Sequence, residues 1–251
     1  MAMMRTANPA LNSKTFTNAG AFTDSTVMTI QGTVNKTFIL LLLTVFSAAM
    51  VWNKFFTFGN PAVVMPWMWG GILGGFVVAI VTVFKKEWAP MTSPVYAMLE
   101  GLFLGGISAI FEARFPGIVM QAVALTFGVL FCLLFAYKTG LIKPTENFKL
   151  GVVSATGAIA LFYFVSIILG FFGVHLSILY ASTPLGIAFS VFVVIIAALN
   201  LVLDFDFIEN GAASGAPKYM EWYAAFGLLV TLIWLYIEIL RLLAKLYGSR
   251  R

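Results

Sequence analysis

Acidic residues are scarce in this chain, and half of them fall within long apolar segments. Of ten Asp and Glu residues, five lie within or at the edge of such segments: Glu100, Asp204, Asp206, Glu209 and Glu238. Insertion scales put a charge at the centre of a membrane helix at roughly 2.5 to 3.5 kcal/mol. Acids kept at that cost usually face water or a bundle interior, where they mark routes for protons or cations. These five are therefore the candidate functional groups.

Three of these acids close a single apolar segment, LNLVLDFDFIENG at residues 199–211. Asn200 and Asp204 are four apart and therefore share one face of a helix. Asp206 is rotated by about 200° from Asp204 and shares the other side with Glu209. We expect Asn200 and Asp204 to line an ion pathway, and Asp206 and Glu209 to make its inner mouth negative. A solvated helix end is the alternative for the last two.

Glu100 and Glu238 each have a structural alternative as well. Glu100 adjoins the small-residue pattern Gly101-x-x-x-Gly105, which lets helices pack closely, so it is either a pathway residue or a protonated, hydrogen-bonded glutamate. Glu238 is followed three residues later by Arg241, at a spacing that favours an intrahelical ion pair. A pathway or pH-sensing role and a structural role stay open for both residues.

The rest of the chain has the composition of a polytopic helical membrane protein. It is 61% hydrophobic and 10% charged, whereas soluble domains carry about 25% charged residues. A membrane β-barrel would alternate apolar and polar residues, and the run TFILLLLTVF does not. We therefore predict an all-α bundle of seven transmembrane helices in the lipid bilayer. The predicted spans are residues 36–52, 62–84, 95–111, 118–137, 150–172, 185–208 and 221–247.

The domain organisation and the orientation follow from the polar segments. Residues 1–35 are predicted to be a polar mobile tail without a signal peptide, and residues 36–251 form the transmembrane domain. Basic residues favour the cytoplasmic side, and their positions in the internal loops predict a cytoplasmic N-terminus in a bacterial inner membrane. The C-terminal tail is basic as well and disagrees with this orientation, so seven spans and six spans with a re-entrant segment both stay open.

Two lysines lie where they could control a carboxylate. Lys85 and Lys86 end the second span at the inner side, at the membrane level expected for Asp204 and Glu100. A lysine beside a carboxylate in a low dielectric forms a strong, pH-sensitive pair. Simple anchoring at the inner surface is the alternative, and it must hold for at least one of the two.

Several classes of function are excluded by the same sequence. The formal charge of +5 arises from helix ends and does not indicate nucleic-acid binding. Cys132 and His175 are each the single residue of their type, so they cannot build a stable metal site; we expect no cofactor beyond a transient calcium ion. No nucleophile–base set or phosphate loop indicates an enzyme.

The helix order and two motifs resemble the Bax inhibitor-1 family, in particular its bacterial YccA-like branch. The motifs are LVLDFDFIE at the end of the sixth span and LYIEILRLL in the seventh. The resemblance implies six helices around a central seventh, and two acids that form a pH-sensing pair gating a calcium leak. It assigns these roles to Asp204 and Glu238, and the role of a basic latch to Lys85 or Lys86. The family usually has aspartate where this chain has Glu238.

The spacing of the two acids leaves their contact open. A straight helix over residues 218–238 would place Glu238 roughly 30 Å from the preceding hairpin, whereas Asp204 is about 10 Å from it. Glu100 or Glu221 are the alternative partners of Asp204.

Two functions are consistent with the sequence. The first is a pH-sensitive leak channel or exchanger for calcium or protons, gated by buried carboxylates. The second is a non-transporting regulator that binds other membrane proteins, such as a quality-control protease, through its glycine faces and its tail.

Overall fold

The computed structural model describes residues 27–174, 176 and 181–249, and its long elements are all α-helices. A 3-10 turn at Lys86–Trp88 joins the second helix to the third, and a single antiparallel bridge pairs Val27 with Pro217. The described residues contain no β-strand. The helices are α1 (Ile30–Phe58), α2 (Pro61–Phe84), α3 (Ala89–Arg114), α4 (Ile118–Lys138), α5 (Glu146–Phe171), α6 (Pro184–Ala213) and α7 (Met220–Ser249).

Within the described residues, seven helices are long and apolar enough to cross a membrane. This confirms the predicted all-α membrane fold and the number of spans. The shortest, α4, has 21 residues, and a rise of about 1.5 Å per residue makes it about as long as the hydrocarbon core is thick. The most buried is α7, with 61% of its most apolar stretch buried, against 17% for α2, α4 and α5. A central helix is expected to show this difference.

The start of α1 differs from the prediction. The helix begins at Ile30, within the segment assigned to the polar tail. Thr29 caps it, because its hydroxyl oxygen accepts a hydrogen bond from the backbone N–H of Gly32 at 3.0 Å. A threonine cap satisfies one of the backbone donors that a helix start leaves unpaired. The remainder of the predicted tail, residues 1–26, and His175 lie outside the described residues.

The chain divides into two compact units, and the division cuts both α6 and α7. The Asp204 unit contains Gly117–Asp206 and the chain from Thr231 onward. The Glu221 unit contains the described chain up to Pro116 together with Phe207–Val230.

Glycines bring the helices of the Glu221 unit into close contact. A Cβ atom at Gly101 would collide with Thr44 and Ser47 of α1, and one at Gly105 would collide with the backbone of Ala48. The pattern Gly101-x-x-x-Gly105 is therefore a packing surface for α1 within one chain, as small residues four apart permit.

A buried carboxylate in the Glu221 unit fixes the start of α1 to the start of α7. Glu221 is fully buried, and its Oε1 accepts hydrogen bonds from the backbone N–H of Thr29 at 2.9 Å and from the Thr29 hydroxyl at 2.8 Å. Its carboxylate also forms ion pairs with Lys36 and, at 2.9 Å, with Lys218. Every part of this carboxylate is thus compensated, which is what a buried charge requires.

The surroundings of Glu221 are shaped to admit it. A Cβ atom at Gly32 would overlap the Glu221 carboxylate, so glycine is needed at that position of α1. The Lys36 ammonium also lies 5.6 Å from the centre of the Trp222 ring, within the range of a cation–π contact. The backbone N–H of Met28 donates to the carbonyl of Ala216 at 2.6 Å, which extends the attachment to the α6–α7 connection.

We expect Glu221→Gln to lower the free energy of unfolding by about 3 kcal/mol, because removing one partner of a buried ion pair leaves the other charges uncompensated. Reversible unfolding of the purified protein in detergent measures this. The matched control is Lys218→Met, which removes an ammonium on a side chain that is 49% exposed; it should cost no more than about 1 kcal/mol. Equal effects of the two substitutions would contradict the anchoring role of Glu221.

Candidate functional site

Asp204 is the buried acid without a charged partner. It is fully buried on α6, and no basic side chain pairs with its carboxyl group among the described residues. The polar group against it is the side chain of Thr231 on α7. Aspartate is almost never fully buried in proteins unless it is paired, so a carboxyl group at this depth without a basic partner is unusual and requires an explanation.

Asn200 lies one turn from Asp204 and ties α6 to α5. Its side-chain amide donates to the hydroxyl of Thr156 on α5 and to the carbonyl of Ile196 on its own helix, both at 2.8 Å. Asn200 is buried as well. Asn200 and Asp204, which the sequence placed on one helix face, are therefore both buried within the Asp204 unit.

Asp206 and Glu209, predicted to lie at the inner mouth, have different surroundings. Asp206 forms an ion pair with Lys149 of α5, with 2.7 Å between the ammonium nitrogen and a carboxylate oxygen. The Asp206 side chain is 16% exposed and the Lys149 side chain is 8% exposed. Lys149 also lies 3.7 Å from Glu146. Glu209 is exposed. Lys149 lies 57 positions before Asp206 in the chain, so nothing in the spacing pointed to this pair.

Glu238 is buried, and two polar side chains contact it. Its Oε1 accepts a hydrogen bond from the Tyr163 hydroxyl of α5 at 3.0 Å, and its carboxylate pairs with Arg241 at 3.2 Å. Arg241 in turn donates to the Tyr163 hydroxyl oxygen at 2.8 Å. The intrahelical ion pair considered from the sequence is present, and Tyr163 completes it. Nothing in the spacing along the chain pointed to Tyr163.

No hydrogen bond joins the two acids that the resemblance pairs. Asp204 faces Thr231, and Glu238 lies seven residues further along α7, about 10 Å at the rise of an α-helix. The bonds of Glu238 go to Tyr163 and Arg241. The separation arises because α7 runs as one continuous helix through both positions. The pH-sensing role of each acid stays a prediction.

The remaining candidates belong to the Glu221 unit. Glu100 is hydrogen-bonded to the hydroxyl of Tyr96, one turn earlier on α3. Gly75 of α2 makes room for it, because a Cβ atom there would lie 2.9 Å from Glu100 Oε1. The ammonium of Lys86 lies 5.7 Å from the centre of the Tyr223 ring, and Lys85 caps the end of α2. The latch role of these two lysines stays a prediction.

The described residues do not form a metal-binding cluster. They contain no group of three or more His, Cys, Asp or Glu side chains arranged to hold a metal ion.

We expect the changes Glu238→Gln and Arg241→Gln to be strongly non-additive. Each alone leaves a charged group without its partner, whereas the double variant removes both charges, so the coupling energy should be about 1–2 kcal/mol. Detergent unfolding of the four proteins of the cycle measures it. A cycle of Glu238→Gln with Lys143→Gln, an exposed loop residue, is the control and should be additive. Additivity in both cycles would contradict the ion pair.

Similarity to a known protein family extends over all seven helices. The family model described as Bax inhibitor 1 like matches residues 8–248, from before α1 to the last turn of α7. A comparison with curated proteins gives no match. The family match confirms the resemblance drawn from the two acidic motifs, and the seven described helices have the length and apolarity of membrane spans. The chain therefore belongs to the Bax inhibitor 1 like family of multi-pass membrane proteins.

Proposed function

We propose that this protein is a pH-sensitive cation leak channel or exchanger, with calcium as the favoured ion, and that protonation of Asp204 controls it. The observation that carries the proposal is the full burial of Asp204 without a charged partner among the described residues, where the Thr231 side chain is the polar group against it. Ionisable residues inside membrane spans are rare and usually mark ion or proton routes.

The physical argument concerns the compensation of charge. A buried carboxylate without a partner bears a large desolvation cost, and a neutral carboxyl group bears a much smaller one. Losing the proton therefore favours any conformation that brings water, a cation or a basic side chain to Asp204. Because a proton binds the two conformations with different affinity, pH shifts their populations.

The ion is proposed from the chemistry of the available ligands. Asp204, Asn200 and Thr231 offer carboxylate, amide and hydroxyl oxygens, which suit a hard cation such as calcium. A small number of ligands at each level binds an ion weakly, which suits conduction better than storage because a conducted ion must also leave. Protons use the same carboxylate, and the family resemblance supports calcium. Glu209 would add negative potential near the end of α6, whereas the charge of Asp206 is offset by Lys149.

The orientation belongs to the same proposal. The basic internal loops favour a cytoplasmic N-terminus in the inner membrane of a bacterium. The continuous helix α7 favours seven full spans over six spans and a re-entrant segment. Seven crossings put the basic C-terminal tail on the outer side. The mouth formed by Asp206 and Glu209 then faces the cytoplasm.

We expect Asp204→Asn to abolish the pH dependence of calcium flux while the protein stays folded. The asparagine side chain keeps the volume of the protonated acid and carries no titrating charge. The measurement is calcium entry into dye-loaded liposomes that contain the purified variant, between mildly acidic and mildly basic pH. The matched control is Asp206→Asn on the same helix, which should retain the pH dependence because its carboxylate is already paired with Lys149.

Two results would contradict the proposal in different ways. Flux with unchanged pH dependence in folded Asp204→Asn would move the sensor to another residue. A folded wild-type protein without flux at any pH would remove the transport function, and the non-transporting regulator would replace it. Size-exclusion chromatography of each variant separates a loss of function from a loss of folding.

A further inference from the structure

Three helices of the Asp204 unit carry the same order of side chains along one face. On α5 the order is Thr156, Ile159 and Tyr163, in which an apolar residue lies between two polar ones. On α7 it is Thr231, Trp234 and Glu238. Residues three or four positions apart share a helix face, so each helix presents a polar, an apolar and a second polar level.

The helix α6 repeats this order in the opposite chain direction. Its polar levels are Asn200 and Ser190, and Val193 and Ile196 lie between them. Asn200 and Ser190 are both buried. The apolar level is thus common to all three helices.

Hydrogen bonds show that the polar levels of neighbouring helices are in register. Asn200 of α6 donates to Thr156 of α5 on one side of the apolar level. On the other side Tyr163 of α5 donates to Glu238 of α7. Beyond that level, Lys245 lies seven residues past Glu238 on α7, is buried, and donates to the hydroxyl of Ser190 at 2.8 Å and to the carbonyl of Gly186 at 2.9 Å. Ser190 is thus on the same side of the apolar level as Glu238 and farther from it.

The apolar side chains form one packed cluster between these levels. Ile159, Val193 and Ile196 are buried against one another, and Trp234, Phe189, Ala155 and Tyr163 pack against them. The levels of Thr156 and Tyr163 are about 10 Å apart along α5, as are those of Thr231 and Glu238 along α7. A packed layer of this length, made of aliphatic and aromatic groups, offers a cation no ligand.

We propose that Ile159, Val193, Ile196 and Trp234, here termed the apolar gate, separate two water-accessible polar compartments of the conduction route, one at Asp204 and the other at Glu238. The inference rests on the proposed function, because a gate requires a conducted ion. Hydrophobic constrictions close channels by excluding water. Tyr163 is a positioning residue, because its ring packs against the gate while its hydroxyl is held by Glu238 and Arg241.

The test is the side from which cysteines in the two compartments can be labelled. Cys132 is exposed and is first replaced by serine. Thr156→Cys and Ser190→Cys are then introduced separately and treated with a charged, membrane-impermeant thiol reagent in inverted and in right-side-out membrane vesicles. With the gate closed, each cysteine should react from one side only, and the two should react from opposite sides.

Opening the gate should abolish this sidedness. Adding Ile196→Ala to either cysteine variant should raise labelling from the formerly closed side roughly tenfold, because the shorter side chain admits water at the constriction. The matched control is Leu201→Ala, a fully buried residue of the same helix outside the gate cluster, which should leave the sidedness intact. Trp234→Ala is the second gate variant, for use if Ile196→Ala reduces folding.

Several outcomes would overturn the gate. They are labelling of both cysteines from the same side, labelling of neither, or equal effects of Ile196→Ala and Leu201→Ala. Calcium flux through the same variants distinguishes the gate from the proposed function. Access that opens without a rise in flux would support the gate and contradict calcium conduction. Flux that depends on Asp204 but not on Ile196 or Trp234 would support conduction and contradict the gate.

Discussion

The cost of placing charge in an apolar interior is the constraint on which the rest of this structure depends. Four acids offset this cost through a partner side chain, and the partner differs in each case. The pairs are Glu221 with Lys36 and Lys218, Asp206 with Lys149, Glu238 with Arg241 and Tyr163, and Glu100 with Tyr96. Asp204 has no charged partner among the described residues. Its difference from Asp206, two residues later on the same helix, is therefore a difference in compensation as well as in burial.

The compensating bonds also hold the helices together. In a bilayer the hydrophobic effect does not drive helices against one another, so close packing and polar contacts between helices replace it. Glu221 joins Thr29 across 192 positions of the chain, and Asn200 and Glu238 each bind a hydroxyl group of α5. In the Glu221 unit the close contacts at Gly101 and Gly105 supply the packing. The bonds of Asn200 and Glu238 to α5 thus hold helices together and also lie along the proposed conduction route.

The sequence predicted what depends on neighbouring residues and missed what depends on distant ones. Seven helices were predicted correctly because a membrane span is a local property of about twenty apolar residues. Arg241 was identified as a partner of Glu238 because the two are three positions apart on one helix. Lys149 and Tyr163 were not identified as partners, since each meets its acid through packing of α5 that no periodicity records. The first span was predicted from Lys36, six residues after the observed start of α1, because a threonine cap before a polar first turn carries no hydrophobic signal.

The unequal compensation of Asp204 and Glu238 has a consequence for which acid controls conduction. Glu238 already has a counter-charge in Arg241 and a hydroxyl donor in Tyr163 on its side of the apolar gate. A proton arriving there changes a pair that is balanced without it. At Asp204 the same proton decides whether an uncompensated charge exists at all. The free-energy difference between two conformations therefore depends more strongly on the proton at Asp204, and within the proposed function Glu238 stabilises the gate while Asp204 senses pH.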